Sequence, residues 1–245
     1  MLSVALRRWS AWAPGIESPE AWRSWCAAPA PTAAEGMPDA RFLPPMLRRR
    51  CSPLSRAMLH VAFDACPEAE RAAVRTVFAS RHGENKESFP LFAGIAAREP
   101  LSPTRFTMTV HNVQAGLFSI AAGNRQASSS LAAEEDTFPA AFLEALAHLE
   151  REPGRSVLLV MGDVPIAPLF EPLIPEPSVS YALALLLARD GEGTKLGFEP
   201  TGERRTPGSA PRLAWPQGLE FVRWLHGEEP GLVLGERRSW RFLRL

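Results

Sequence analysis

Residues 105–137 read RFTMTVHNVQAGLFSIAAGNRQASSSLAAEEDT, and the fold turns on how this stretch is understood. His111-Asn112 opens an apolar, small-residue run that ends at Gly123, the pattern of a buried helix closed by a left-handed glycine. A short strand is expected over Gln126–Ala132, followed by the acidic turn Glu134-Glu135-Asp136 and a further helix from Thr137. Strand, tight turn and helix in succession is an arrangement on which reactive residues are often mounted. Here the turn carries three carboxylates and no thiol or hydroxyl.

Working outward, the alternation of strand and helix repeats on both sides. Upstream, RRRCSPLSRAMLHVAFDAC predicts a helix capped by Ser52 or Ser55, with Pro53 in its first turn and an apolar stripe through Leu54, Met58, Leu59, Val61, Ala62 and Ala65. Val74–Ser80 reads as a short strand, and His82-Gly83-Glu84-Asn85 as a loop leading into a helix that runs to Arg98. Downstream, Thr137–Arg151 carries Phe138, Ala141, Phe142, Ala145, Leu146 and Leu149 on one helical face. Ser156–Met161 is a continuous apolar strand of the kind buried on both faces. This rhythm predicts an α/β fold with a mostly parallel mixed sheet covered by helices.

The outer parts are less regular. Residues 2–14 can form a first strand, and Trp9, Trp12, Trp22 and Trp25 suit core or interface volume better than a ligand cage. Residues 27–45 form a Pro-rich loop. Beyond a Pro-rich crossing lies the apolar strand SYALALLLARD, and residues 190–213 read as a flexible loop. Leu219–His226 suggests a last short helix, and residues 214–245 a C-terminal appendage ending in one strand with alternating basic residues. A single domain over 1–245 is expected.

Composition narrows the function. Apolar residues make up 46% of the 245, and 27 basic side chains cancel 27 acidic ones, so no general field favours nucleic acid or an anionic membrane. No apolar run is long enough to span a bilayer, and MLSVALRRWSAWAPG is not a convincing export signal. Cys26, Cys51 and Cys66 show neither metal-ligand spacing nor the even count of a disulfide framework, so reduced thiols and a cytoplasmic location are expected. Three arginines, Arg48 to Arg50, could lower the Cys51 thiol pKa, although a cysteine at a helix start needs no catalytic role. Neither a cofactor nor a metal is expected.

On these residues the chain, best over 45–165, resembles the N-terminal half of a β-ketoacyl synthase, a thiolase-fold condensing enzyme. RRRCSPLSRAML is similar to that family's opening helix motif, and VRTVFASRHGE to its strand and Gly-containing loop. Most specific is Asn112-Val113-Gln114-Ala115-Gly116-Leu117-Phe118-Ser119-Ile120, ending in Gly123. The family places its nucleophilic cysteine about a dozen residues after that glycine, which here lands on Glu134 or Glu135. A carboxylate cannot hold a stable thioester, and condensation needs a thiolate to take the acyl group. The family's second half supplies two catalytic histidines, yet residues 166–245 contain only His226.

The resemblance therefore implies no catalytic residue and no enzyme activity. It points to the short chain-length-factor-like proteins of aryl polyene and related clusters. Such a subunit would pair with a β-ketoacyl-ACP synthase, shape its tunnel, and meet the acyl carrier protein indirectly, in aryl polyene, polyketide or fatty-acid-type biosynthesis. Interface residues would be His111, Asn112, Ala115, Gly116, Ser119 and Gly123, with the Gln126–Ala132 strand available for pairing. For the acidic run, service at the start of a helix is the alternative to a role at the partner interface. Two rival functions stay open: a small acyl-transferring or condensing enzyme using Glu134, Glu135 or His111, and a homodimeric scaffold that binds carrier protein.

Overall fold

A computed structural model describes the chain except residues 33–35, 175, 205–212 and 236, and the side chains of 203–204. In chain order its first elements are β1 (Leu2–Trp12), α1 (Pro19–Ala27), α2 (Pro45–Arg50), α3 (Pro53–Ala65), α4 (Glu68–Arg71) and β2 (Arg75–Ala79). Next come α5 (Asn85–Ala96), α6 (Pro103–Thr107), α7 (Val113–Ala122), β3 (Ser128–Leu131), α8 (Thr137–Arg151) and β4 (Val157–Asp163). The chain closes with β5 (Tyr181–Ala188), β6 (Thr194–Arg204), α9 (Gln217–His226), β7 (Gly231–Leu234) and β8 (Arg238–Arg244).

All eight strands join one mixed sheet, ordered β3-β2-β4-β5-β1-β6-β8-β7. Helices cover both faces, and the alternation of side chains along the central strands divides the core in two. Leu159 and Met161 of β4 and Leu183, Leu185 and Leu187 of β5 pack toward α8 and α9. Leu158 and Val160 with Ala182, Ala184 and Leu186 pack toward α3 and α7. Every residue of β4 and β5 is buried, as their unbroken apolar runs require.

Local chemistry sets the element ends. Ser52 caps α3 by accepting from Ser55 N at 2.9 Å, and Pro53 occupies the first turn. Gly123 closes α7 at φ +62, a conformation that would strain a residue bearing Cβ. Helix α8 spans the expected residues and buries Phe138, Ala141, Phe142, Ala145, Leu146 and Leu149. Each large side chain so buried contributes about 1.5–3 kcal/mol relative to exposure.

Three expectations need correction. Parallel pairing is confined to β3-β2-β4; β4-β5-β1-β6-β8-β7 is antiparallel throughout, so the sheet is mixed but not mostly parallel. Strands joined without a helix between them, such as β7 and β8, can only reverse, and strand-helix rhythm is blind to that. Residues 194–204 of the supposed loop form β6, which pairs with β1 and β8; residues 205–212 lie outside the described residues. Residues 214–245 are no appendage. Phe221 of α9 and Phe242 of β8 are fully buried, and the expected single tail strand is a hairpin. Gly235 sits between the two strands at φ +110.

Candidate functional site

The acidic turn lies where the three parallel strands end. Glu134–Asp136 forms one turn of 3-10 helix between β3 and α8, and Glu134 takes φ +52. That conformation costs a side-chain-bearing residue roughly 1–3 kcal/mol and persists only when its surroundings impose it. The surroundings are visible: Thr137 Oγ1 donates to Glu134 O at 2.6 Å and accepts from Ala133 N at 3.0 Å. The carboxylates do not cap α8 in the expected way. Asp136 at the N-cap makes no side-chain cap hydrogen bond, and its Oδ2 accepts from Arg237 N at 3.3 Å. Glu134 pairs with the Arg237 side chain at the surface.

Glu135 turns inward to Arg81, at 2.8 Å. Arg81 is only 8% exposed and also holds Glu176 at 2.8 Å, so one guanidinium joins the acidic turn, the loop after β2 and the crossing that follows β4. Next to it, Asp163 at the end of β4 accepts from Ser80 Oγ at 2.7 Å, His82 N at 2.9 Å and Arg81 N at 3.3 Å. Burial raises the Asp163 carboxyl, and the adjoining His82 and these donors oppose it. Burial lowers His82 and raises Glu176, the latter opposed by Arg81. Tyr181, wholly buried beside them, is raised well above its ordinary value by the same cause.

A second polar knot lies one turn further on. Glu84 Oε1 accepts from Ser52 Oγ at 2.7 Å, Ser55 Oγ at 2.8 Å and Gln114 Nε2 at 2.7 Å, tying α3, the β2 loop and α7 together. Burial raises the Glu84 carboxyl. His111 Nε2 lies 3.1 Å from Ser80 O and donates to it in the tautomer that carries the proton there. His111 and Glu135 are thus anchored to the same loop, by Ser80 and Arg81 respectively. Nothing in the 105–137 stretch announced Arg81, Asp163 or Glu176. An acid placed directly after a fully apolar strand, as in LLVMGD, was the available signal for Asp163.

The motif residues of α7 divide between two sides. Ala115 is buried with Val113, Gln114, Leu117 and Phe118. Asn112, Gly116 and Ile120 face outward, one helical turn apart; Ile120 is 71% exposed, and a Cβ at Gly116 would meet nothing within 4 Å. Ser119 Oγ donates to Asn124 O at 2.5 Å behind Gly123. Among the described residues the outer edges of β3 and β7, at the two ends of the sheet, are unpaired. Further large apolar residues lie exposed on α5 and α6 (Phe92, Ile95, Phe106) and on the crossing (Leu169, Phe170, Leu173). Rings join two of these groups: Phe89 stacks on Phe170 at 5.1 Å and meets Phe92 edge-on at 6.3 Å.

Two of the three thiols, Cys51 and Cys66, are buried, and Cys26 is half-buried. Burial pushes Cys51 up to about 11 and outweighs nearby Arg56, in keeping with a cysteine at a helix start that has no catalytic role. Cys26 and Cys66 are likewise pushed up to about 11 by burial. Among the described residues, no three or more His, Cys, Asp or Glu side chains are grouped to hold a metal ion. No helix among them is long and apolar enough to cross a membrane.

Against known families, the beta-ketoacyl synthase N-terminal domain matches residues 22–242. The chain belongs to the β-ketoacyl synthase family. Its fold is the thiolase-like one of that family. It is similar over its whole length to a chain of a solved complex, a ketosynthase (ApeO) with its chain length factor (ApeC) from Xenorhabdus doucetiae. Identity is 29%, the TM-score 0.82, and the coverage 100% of both chains. The ishigamide ketosynthase/chain length factor shares the fold at 14% identity and TM-score 0.61, covering 82% of this chain and 68% of that one. The ketosynthase complex AntDE:AntF does so at 16% and 0.60, covering 81% and 68%. We found no match among curated protein sequences.

Proposed function

We propose that this β-ketoacyl synthase family chain is a non-catalytic, chain-length-factor-like subunit. It pairs with a cytoplasmic β-ketoacyl-ACP synthase and shapes the cavity that receives the growing acyl chain. The pathway would be of the aryl polyene, polyketide or fatty-acid type, with the carrier protein served through the synthase. One observation carries the reading. The unpaired edge of β3 and the outward face of α7 accompany an exposed apolar surface on α5, α6 and the crossing. An open edge and apolar area of that kind invite a partner.

Two further observations support it. The solved chain similar to this one along its whole length comes from a complex of a ketosynthase with its chain length factor. At the strand-to-helix turn the sequence offers Glu134 and Glu135, both already engaged by arginines, where acyl transfer would need a free nucleophile. The assay is co-expression with a ketosynthase encoded beside this gene, followed by co-purification and intact-mass analysis. A stable one-to-one complex in which only the synthase takes up the acyl group is expected. A well-behaved monomer that ignores the synthase, or an acyl adduct on this chain alone, would overturn the reading.

A further inference from the structure

Strand β6 pairs with β1 only over Leu2–Leu6, so from Arg8 to Trp12 the outer edge of β1 has no strand beside it among the described residues. Helix α1 fills part of that gap, where Trp22 Nε1 donates to Ala11 O at 2.8 Å. A cavity of about 290 Å³ remains. Its walls are Trp9, Trp22 and His226, and the rings of Trp9 and His226 meet edge-on at 5.4 Å. Ser10, only 8% exposed, also lines it. The Ser10 hydroxyl has no hydrogen-bond partner among the described residues, yet solvent reaches it. Since Ser10 is otherwise covered, that opening is into the cavity. Glu17 and Asp64 complete the lining from exposed positions.

The negative charge there is unanswered. Neither carboxylate makes an ion pair among the described residues, and Glu17 accepts only from Trp12 Nε1, at 3.4 Å. Two guanidinium groups nearby are already held, Arg23 by Glu20 at 2.8 Å and Arg8 by the Asp64 main-chain carbonyl at 3.2 Å. Glu17 and Asp64 both act to raise His60, but burial lowers it, as burial lowers His226, so neither imidazole is a counter-ion at neutral pH. We propose that this cavity binds a small primary amine with an aromatic body, its ammonium held by Glu17, Asp64 and Ser10 and its body against the tryptophan walls. An ammonium brings three N–H donors, and two carboxylates and a hydroxyl supply acceptors for them. Indole rings attract a cation and suit a flat apolar body. An anionic ligand would face two like charges, and a neutral aromatic would leave them unanswered. The site is separate from the surface proposed for the synthase, since β5, β4 and β2 stand between β1 and β3.

Calorimetry on the full chain, alone or in its complex with a ketosynthase, tests this with phenethylamine as probe and 2-phenylethanol as the same body without the charge. Saturable binding of phenethylamine is expected, about tenfold tighter than 2-phenylethanol and weakening as salt rises. Glu17→Gln combined with Asp64→Asn should bring the amine down to the level of the alcohol, at an unchanged melting temperature because both side chains are exposed. Glu99→Gln combined with Glu171→Gln removes the same charge at exposed positions outside the cavity and should leave binding unchanged. Ser10→Ala should weaken the amine severalfold without lowering the melting temperature, because the hydroxyl makes no hydrogen bond within the fold. Absence of saturable phenethylamine binding, equal binding of 2-phenylethanol, or an amine preference that survives the Glu17 and Asp64 double variant defeats the proposal. An equal loss in the Glu99 and Glu171 double variant does so too, since it would reduce the effect to general surface charge.

Discussion

At the β7 end of the sheet, Phe142 of α8 meets Phe198 at 5.1 Å and Phe242 at 5.0 Å, and Phe138 meets Phe221 at 5.0 Å. Trp240 stacks on Phe198 at 4.9 Å to close the cluster. At the β3 end the chain spends its large apolar residues differently. Ile120 on α7, the helix beside β3, stands 71% exposed, and Phe92 on α5 and Phe106 on α6 stand 60% and 59% exposed. The first end buries its ring cluster, although its outermost strand β7 has an unpaired edge as β3 does. Under the proposed function the second is half of an interface, so the same side-chain chemistry would serve folding at one end and association at the other.

The largest blow to the finished end should come from Phe142→Ala, which deletes a ring from the middle of that cluster. We expect a loss of about 3–5 kcal/mol in urea denaturation. A loss below about 1 kcal/mol would show that the cluster is loosely packed and the contrast between the ends overstated. Arg81→Ala comes next. It strands Glu176, whose side chain is 14% exposed, and should cost roughly 3 kcal/mol. Arg237, 63% exposed against Glu134 on the outer side of the same turn, provides the contrast: Arg237→Ala should cost no more than about 1 kcal/mol.

The open end should respond in the opposite sense. Ile120→Asp should leave the stability of this chain within about 0.5 kcal/mol, because the side chain is in solvent. Its complex with a ketosynthase should weaken by about 2 kcal/mol or more, read as a roughly thirtyfold rise in Kd. Unchanged affinity would move the partner to another surface.

The smallest effect concerns pH at the polar knot between the two ends. Burial lowers His82, so as pH falls through about 6.5 the unfolded chain takes up the proton first and the folded state loses stability. Asp163 acts the other way, since burial raises its carboxyl and the folded state gains that proton first. Because the two oppose each other, the readout is the difference: on going from pH 7.5 to 6 the melting temperature should fall less in His82→Gln than in the unaltered chain. An equal slope in both proteins would remove His82 as its source.

Local chemistry was legible where the physics is local. Helix α8, the Ser52 cap, the buried strands β4 and β5 and the Gly123 terminus follow from periodicity, a hydroxyl at an N-cap and a residue without Cβ. The motif in α7 was read correctly as a helix, but its division into an inward Ala115 and an outward Gly116 and Ile120 needed the neighbours in place. Strand β6 was hidden because Gly and Pro dominate its surroundings, and only pairing with β1 and β8 makes it a strand. For the acidic turn the sequence leaves open service at the start of the next helix or a place at a partner interface. Its carboxylates go to Arg81 and Arg237, which lie 54 and 103 positions away along the chain.

The sequence alone therefore determined most of the helices and the buried strands β4 and β5, since helix period and apolar runs are properties of adjacent residues. Tertiary structure decided strand direction, the partners of every buried charge, and which apolar side chains remain uncovered. Those depend on what distant segments bring to one place, and no local pattern records it.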